Sequence, residues 1–179
     1  MIKLFYLFAL LLMTSTPALM ADEVFIPNMQ PRTKEVETQP TASWHELIMP
    51  LPPLPNDTDL IELTLDGEDS PFRYFIDSKN LLVSADAVVR YTLVIESRSG
   101  SRNLSYEGIR CTPQGQYKIF AYGTHAQFIA LNEGEWQPIY DVGSEHYRSD
   151  LWRFYFCVSS EFKPRIKPDI LRSLKSANR

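Results

Sequence analysis

VVRYTLVIES (88–97) is the longest stretch of the chain with the composition and the two-residue alternation of a β-strand. One set of alternate positions is apolar and holds Val89, Tyr91, Leu93 and Ile95. The intervening set also contains valines, so neither side of the strand is clearly a solvent side. The stretch therefore predicts a central strand, and we expect the neighbouring segments to pair with it.

Shorter segments of the same character lie on both sides of this strand. They are residues 60–65, 72–76, 80–84, 102–108, 116–123 and 128–131. Asp77-Ser78-Lys79 links the second and third segments as a turn would, which predicts a hairpin. SRSG (97–100) predicts another turn, with RNLSYEG (102–108) as the strand that returns beside residues 88–97. The pattern predicts an antiparallel sheet of about six strands.

The apolar period changes to that of a helix after Asp141. Helical spacing relates a set of apolar residues, namely Tyr147, Leu151, Trp152, Phe154, Tyr155, Phe156 and Val158. PDILRSLKS (168–176) predicts a second, short terminal helix, because proline is favoured at the first helical position. One C-terminal helix packed on a mainly antiparallel sheet, with a short terminal helix behind it, makes a single α+β domain.

The N-terminus has the layout of a secretory signal peptide. Lys3 precedes the uncharged apolar run LFYLFALLLM (4–13), and small residues with one proline follow as far as Ala21. The apolar run is shorter than a membrane-spanning helix requires, so we expect cleavage near Ala21. An uncleaved N-terminal anchor is the alternative. The pattern predicts an exported protein of the periplasm, with no transmembrane helix in the mature chain.

The rest of the chain divides by composition into three parts. Residues 22–56 contain seven prolines and predict an extended arm, in which Trp44 either docks on a partner or packs on the protein's own core. Residues 57–162 are the predicted globular domain. Residues 163–179 carry six basic side chains against one acidic one and predict a basic tail, whereas residues 22–162 carry 11 basic and 21 acidic ones. An acidic body argues against nucleic acid as the main partner, because binding phosphates needs a basic surface.

Two cysteines remain in the mature chain, Cys111 and Cys157. An even number in an exported protein predicts a structural disulfide, which would pin the end of the predicted helix to the returning strand. Free thiols are the alternative. The polar residues just before Cys111 predict an ion-pair cluster of Arg102, Glu107 and Arg110, since a charge between apolar strands has to be paired.

Motifs that would identify a catalytic or cofactor site are missing from the sequence. It has no nucleophile elbow, no phosphate-binding loop and no metal-ligand spacing of histidine and cysteine, so we predict no cofactor and no metal. Glu107 with Asp86 or Asp141 is the pair of carboxylates that could flank a glycosidic bond. A set of strand aromatics could line a groove for sugars or peptides, although packing is the simpler use for them: Tyr106, Tyr117, Phe120 and Tyr122.

VVRYTLVIESRSGSRNLSYEGIRC (88–111), YKIFAYG (117–123) and the late Cys157 resemble the cryptic neisserial protein family. This family consists of small exported proteins of proteobacteria whose function is unassigned. The resemblance extends from Leu60 to Cys157, and its most specific part is YEG-x-RC (106–111). It implies one domain and the periplasm of a Gram-negative bacterium, and it supplies no catalytic residues.

The sequence as a whole predicts a non-enzymatic protein of the cell envelope that binds or scaffolds a partner, either an envelope protein or a cell-wall polymer. The alternative is a cell-wall glycan hydrolase or glycan-binding module that uses Glu107 and the neighbouring aromatics.

Overall fold

A computed structural model of the chain describes residues 43–65, 70–141 and 143–177. The predicted signal peptide and the first part of the predicted arm lie outside the described residues. The strands in chain order are β1 Leu60–Glu62, β2 Phe72–Asp77, β3 Leu82–Val83, β4 Val88–Ser97, β5 Arg102–Arg110, β6 Gln116–Gly123, β7 Phe128–Ala130, β8 Gln137–Pro138, β9 Cys157–Val158 and β10 Lys163–Pro164.

One antiparallel sheet organises the molecule, in the spatial order β1-β2-β4-β5-β6-β7. Two short strands join it at the side, β3 beside β4 and β8 beside β6, and β9 pairs separately with β10. The first seven residues of β4 are all buried, because strands lie on both sides of it and side chains cover both of its faces. The predicted central strand and the predicted α+β fold are confirmed.

The predicted hairpin between residues 72–76 and 80–84 is wrong. Both β2 and β3 pair with β4, with Ile76 opposite Leu93 and Leu82 opposite Arg90, so they lie one after the other along the same edge of that strand. The link between them is a loop closed by Asp77, whose carboxylate accepts hydrogen bonds from the backbone of Lys79 and from Asn80. The link does turn the chain, as predicted, but both strands pair with the longer β4.

The predicted long helix is shorter than its apolar period suggested. It consists of α1, His146–Asp150, and a π-helical turn, Leu151–Phe156, after which Cys157 is extended. In a π-helical turn the hydrogen bonds join residues five apart, which brings Phe156 to the side of Leu151. Both are fully buried, whereas Phe154 is 49% exposed. The predicted terminal helix is confirmed as α2, Lys167–Ser176.

We call the side of the sheet on which α1 packs the helix face. Its core combines alternate residues of β2, β4 and β5 with the inward residues of both helices, including Tyr91, Ile109, Leu151, Ile170 and Leu174. The disulfide between Cys111 and Cys157 is confirmed. It joins the end of β5 to the residue that follows the π-helical turn, and so ties the helix to the sheet.

The opposite side is the strap face, because residues 43–55, the strap, lie against it. Leu51 and Leu54 of the strap pack on Tyr106, Ala121 and Phe128. This face admits no side chain at position 108, since a Cβ at Gly108 would lie 2.7 Å from the Phe120 ring.

The predicted boundaries after residues 56 and 162 do not separate parts of the fold. The strap, the sheet and α2 belong to one compact unit, and α2 contributes Ile170 and Leu174 to the core. Three basic residues of the predicted tail, Lys167, Arg172 and Lys175, therefore lie on a packed helix, and Lys163 lies on the strand before it. Neither described helix has the length and apolar composition that a membrane crossing requires.

Candidate binding pocket around Glu107

Glu107 lies in the middle of β5 on the helix face. Its neighbours across the sheet are Tyr91 on β4 and Ile119 on β6, and its side chain is 1% exposed. Strand alternation places Asn103, Ser105 and Glu107 on the same face. The local sequence thus forces a carboxylate into the interface between the sheet and α1, where it has to be paired.

The Glu107 carboxylate accepts five hydrogen bonds from four residues. Tyr91 Oη donates to Oε2 at 3.0 Å, and Ser105 Oγ donates to Oε1 at 2.6 Å. Arg148 donates from Nε at 3.0 Å and from Nη2 at 3.2 Å, and Tyr147 Oη donates at 3.3 Å. Both carboxylate oxygens are therefore occupied by donors of the protein itself.

Arg148 reaches Glu107 from α1 and is almost as deeply buried, with 5% of its side chain exposed. Its guanidinium lies 3.9 Å from the centre of the Tyr117 ring, a cation–π contact. Burial acts to lower the pKa of Arg148, but the Glu107 charge and its hydrogen bonds outweigh burial and raise it above its usual value. Nη1 lies 2.9 Å from Glu145 Oε1, although the angle is not that of a hydrogen bond.

The two tyrosines that donate to Glu107 are held in their neutral form. Burial is the main reason why the pKa of Tyr91 and that of Tyr147 lie well above the usual value, and the Glu107 charge acts in the same direction. Neither hydroxyl is therefore suited to release a proton. Together with Arg148 and Ser105 they form a set of fixed donors around one buried charge.

A cavity of about 500 Å³ opens beside this buried pair. Its wall includes the polar side chains of Asn103 and Glu145 and the apolar side chains of Ile95 and Ile119. Tyr122 is 49% exposed at the rim. The volume lies within the range usual for ligand sites, and the mixed wall offers both apolar contact and hydrogen bonds. We call this cavity the Glu107 pocket.

The predicted ion-pair cluster of Arg102, Glu107 and Arg110 does not form. Residues 102 and 110 point to the strap face and residue 107 to the helix face, because each arginine is an odd number of positions away along β5. Arg102 binds Glu96 and Asp57. Arg110 donates to Gln116 and stacks 3.6 Å from the centre of the Trp44 ring.

The predicted aromatic groove is likewise divided between the two faces. Tyr106 is buried on the strap face with Phe120 and Phe128, so it packs rather than lines a groove. Tyr117 and Tyr122 both lie on the helix face, opposite Ile109 and Ser105. They are five residues apart and share a face only because a β-bulge intervenes, as Tyr106 pairs with Ala121 but Glu107 pairs with Ile119.

The carboxylates considered as catalytic partners of Glu107 have partners of their own. Asp86 binds Arg90, whose side chain points to the strap face, so it is not placed to act with Glu107. Asp141 is bound to Arg153 and His146 at the surface. The second carboxylate of the Glu107 pocket is Glu145, which the sequence did not single out.

Comparison with known proteins bears on identity rather than on chemistry. Residues 39–175 match the CNP1-like family. The chain belongs to the CNP1-like family. A stretch of 78 residues is 32% identical to "Cryptic neisserial protein 1" of Neisseria gonorrhoeae (strain ATCC 700825 / FA 1090), covering 37% of this chain and 38% of that protein. The chain thus spans well under two thirds of that relative's length. No solved structure matches the chain. The resemblance seen in the sequence is confirmed.

This CNP1-like protein holds a second buried ion pair that its sequence did not reveal. Arg90 and Asp86 are each 1% exposed in their side chains and lie 2.8 Å apart. The strap closes over them, because Leu47 N–H donates to Asp86 and the Leu47 carbonyl accepts from Arg90. Burial acts to raise the pKa of Asp86, but the hydrogen bonds from Arg90, Ser84 and Leu47 hold it well below its usual value.

Aromatic contacts fix the strap further, and they show whether Trp44 is free to dock on a partner or packs on the protein itself. Its indole N–H donates to the Asp86 carbonyl, and its ring meets that of Trp136 at 5.7 Å. Glu46 binds Lys118 and the Trp136 indole. Trp44 therefore packs on the protein's own fold, and the ion pair beneath it closes the strap face.

Proposed function

We propose that this CNP1-like protein is exported to the periplasm and binds a protein partner of the cell envelope without catalysing a reaction. The observation that carries the proposal is the Glu107 pocket, which opens at the surface above a buried ion pair whose carboxylate already accepts from donors of the protein on both oxygens. The predicted N-terminal signal peptide supports export. The disulfide between Cys111 and Cys157 agrees with an oxidising compartment.

The rim of the pocket continues into exposed apolar side chains. Tyr122 and Ile129 lie opposite each other on β6 and β7, and each is 49% exposed. Leu131 follows at 40% exposure. An aromatic residue with aliphatic neighbours beside a polar cavity is the composition of a protein interface, where tyrosine is enriched. We therefore expect the partner to cover Tyr122 and to insert a side chain into the pocket.

The bonding of Glu107 argues against an acid catalyst. A general acid has to hold a proton and pass it to the substrate, whereas every hydrogen bond at Glu107 uses its oxygens as acceptors. A proton there would displace one of these donors. Glu145, the other carboxylate of the pocket, lies against the same arginine. The Glu107–Arg148 ion pair therefore forms a fixed floor of the pocket.

Site-specific crosslinking in living cells tests the proposal. A photo-crosslinking amino acid replaces Tyr122 in one strain and Ile48 in another, and Ile48 is a matched control because it is apolar, 99% exposed and on the strap. We expect light to yield an adduct of defined mass at position 122 and none at position 48. Equal adducts at both positions, or a bare monomer at both, would contradict the proposed interface.

Osmotic shock, which releases periplasmic proteins, tests export separately. Recovery of the protein with the spheroplasts after osmotic shock would contradict export.

A glycan-directed function of the same pocket is the second candidate. It is favoured by one observation, namely that Glu107 and Glu145 line one cavity together with Tyr122. Turnover of purified peptidoglycan and binding to it are compared in the wild type and in Glu107→Gln, alongside the stability of both proteins. Loss of stability without a separable loss of turnover or binding would eliminate this candidate.

A further inference from the structure

A second cavity lies between the π-helical turn and the segment that follows β8. Its volume is about 370 Å³, and none of its lining residues belongs to that pocket. Tyr140 and Trp152 supply its aromatic surface, and Gln114, Asp141 and Arg153 supply polar groups. We call it the Tyr140 cleft.

The aromatic wall of the cleft is fixed by the backbone. Gly115 has a φ of +67°, which favours glycine, and a Cβ there would lie 3.1 Å from the Trp152 ring. The Trp152 indole therefore lies directly on the turn between β5 and β6. Ile139 N–H donates to the Gly115 carbonyl at 3.2 Å, which holds the segment next to Tyr140 against the same turn.

Tyr140 itself is available to a ligand. It is 65% exposed, the largest exposure of any aromatic residue among residues 43–65, 70–141 and 143–177. An aromatic ring that is largely exposed beside a second, half-buried ring offers a flat apolar surface at the mouth of a preformed cleft. Such a surface suits a flat ligand with apolar C–H groups on one side.

The polar groups of the cleft carry no excess positive charge. Arg153 Nη1 lies 2.7 Å from Asp141 Oδ2, and His146 Nδ1 lies 2.5 Å from the other oxygen of Asp141. A phosphate or carboxylate ligand would therefore meet a carboxylate beside every cation. The Gln114 side chain is exposed and forms no hydrogen bond within the part of the chain that the structure describes. It offers both a donor and an acceptor.

We propose that the Tyr140 cleft binds a neutral sugar ring of a glycan. A pyranose presents C–H groups on its face and hydroxyls around its edge. Tyr140 covers the face, while Gln114 and the Asp141–Arg153 pair exchange hydrogen bonds with the hydroxyls. The charge balance of the pair selects against acidic sugars and phosphorylated ligands. The site adds a glycan to the partners of this protein and does not depend on the interface proposed at Tyr122.

Calorimetric titration of the purified, disulfide-bonded protein tests this site. The probes are three trisaccharides: N-acetylglucosamine trimer, maltotriose and the anionic galacturonic acid trimer. We expect a neutral trimer to bind and the anionic one to bind more weakly. The neutral trimer that binds better tells whether an N-acetylated or an unmodified sugar is recognised.

Two variants that each remove one exposed aromatic ring locate the binding. Tyr140→Ala removes a ring of the cleft and is expected to weaken binding about tenfold or more. Phe72→Ala removes a ring that is 42% exposed at the start of β2 and lines neither cavity, and it is expected to leave binding unchanged. Melting curves establish that both variants are folded, and Gln114→Ala provides a further exposed variant with an expected partial loss. Absence of binding by either neutral trimer at millimolar concentration, preference for the anionic trimer, or equal losses in Tyr140→Ala and Phe72→Ala would overturn the proposal.

Discussion

Replacing Glu107 with glutamine keeps the shape of the side chain and removes the charge that holds Arg148. In the native protein these two side chains are 1% and 5% exposed, so water solvates neither charge. The variant leaves a buried guanidinium whose remaining contact with a carboxylate is the misaligned one to Glu145. Breaking a buried ion pair from one side costs about 3–5 kcal/mol, and we expect the free energy of unfolding to fall by this amount.

Glu145→Gln is the matched control. It removes a carboxylate from the same arginine, but the Glu145 side chain is 54% exposed. Exposed ion pairs contribute about 0–1 kcal/mol, so the control should lose no more than that. At roughly 2–4 °C per kcal/mol for a chain of this size, the melting temperature should fall on the order of 10 °C for Glu107→Gln and only slightly for Glu145→Gln.

Urea unfolding followed by circular dichroism measures both losses. A lower midpoint with an unchanged slope identifies a change in stability rather than in compactness. A third variant, Glu107→Leu with Arg148→Met, removes both charges, and we expect it to be more stable than Glu107→Gln because no buried charge is left alone. If Glu107→Gln and Glu145→Gln lose equal stability, Glu107 is not the buried counter-charge that its hydrogen bonds indicate.

Two further predictions concern the disulfide and the second ion pair. Cys111→Ser should lower the free energy of unfolding by up to about 4 kcal/mol, since the bridge closes a loop with a sequence separation of 46, and identical urea midpoints for the variant and the oxidised wild type would contradict it. Because the pKa of Asp86 is lowered in the folded protein, below about pH 4 this carboxylate binds a proton in the unfolded chain but not in the folded protein. Stability should therefore be retained at pH 5–7 and decline as the pH falls below about 4, with a shallower decline in Asp86→Asn; equal slopes between pH 5 and pH 2.5 would show that Asp86 does not contribute.

Strand alternation, applied to residues 102–110, predicts much of the candidate site from the sequence. Alternation along the strand predicted over residues 102–108 puts Arg102 and Arg110 on the side opposite Glu107. A buried Glu107 then needs a cation from another element, and Arg148 follows Tyr147 on the predicted helix. The period alone could not choose Arg148 over the other basic residues nearby, because that choice depends on how the helix crosses the sheet.

The pairing of strands and the sharing of faces needed the folded protein. The link at Asp77 has the chemistry of a hairpin turn, yet β2 and β3 both pair with β4, since a ten-residue central strand offers more hydrogen bonds than the two-residue β3 does. Tyr117 and Tyr122 share a face only through the bulge at Phe120. The π-helical turn that buries Phe156 and exposes Phe154 is similarly set by packing.

Family membership, the central strand, the order of the main strands along the chain and the cysteine pair were all evident from the chain itself. These features depend on local alternation, on composition and on the short motif YEG-x-RC, all of which are carried by residues close together in the sequence. The partners of Glu107, the closure of the strap over Arg90 and the two cavities beside α1 were decided by the tertiary structure. The contact of Arg148 with Glu107 joins residues 41 positions apart, and that of Arg90 with Leu47 joins residues 43 apart, so only packing determines which of several similar side chains meet.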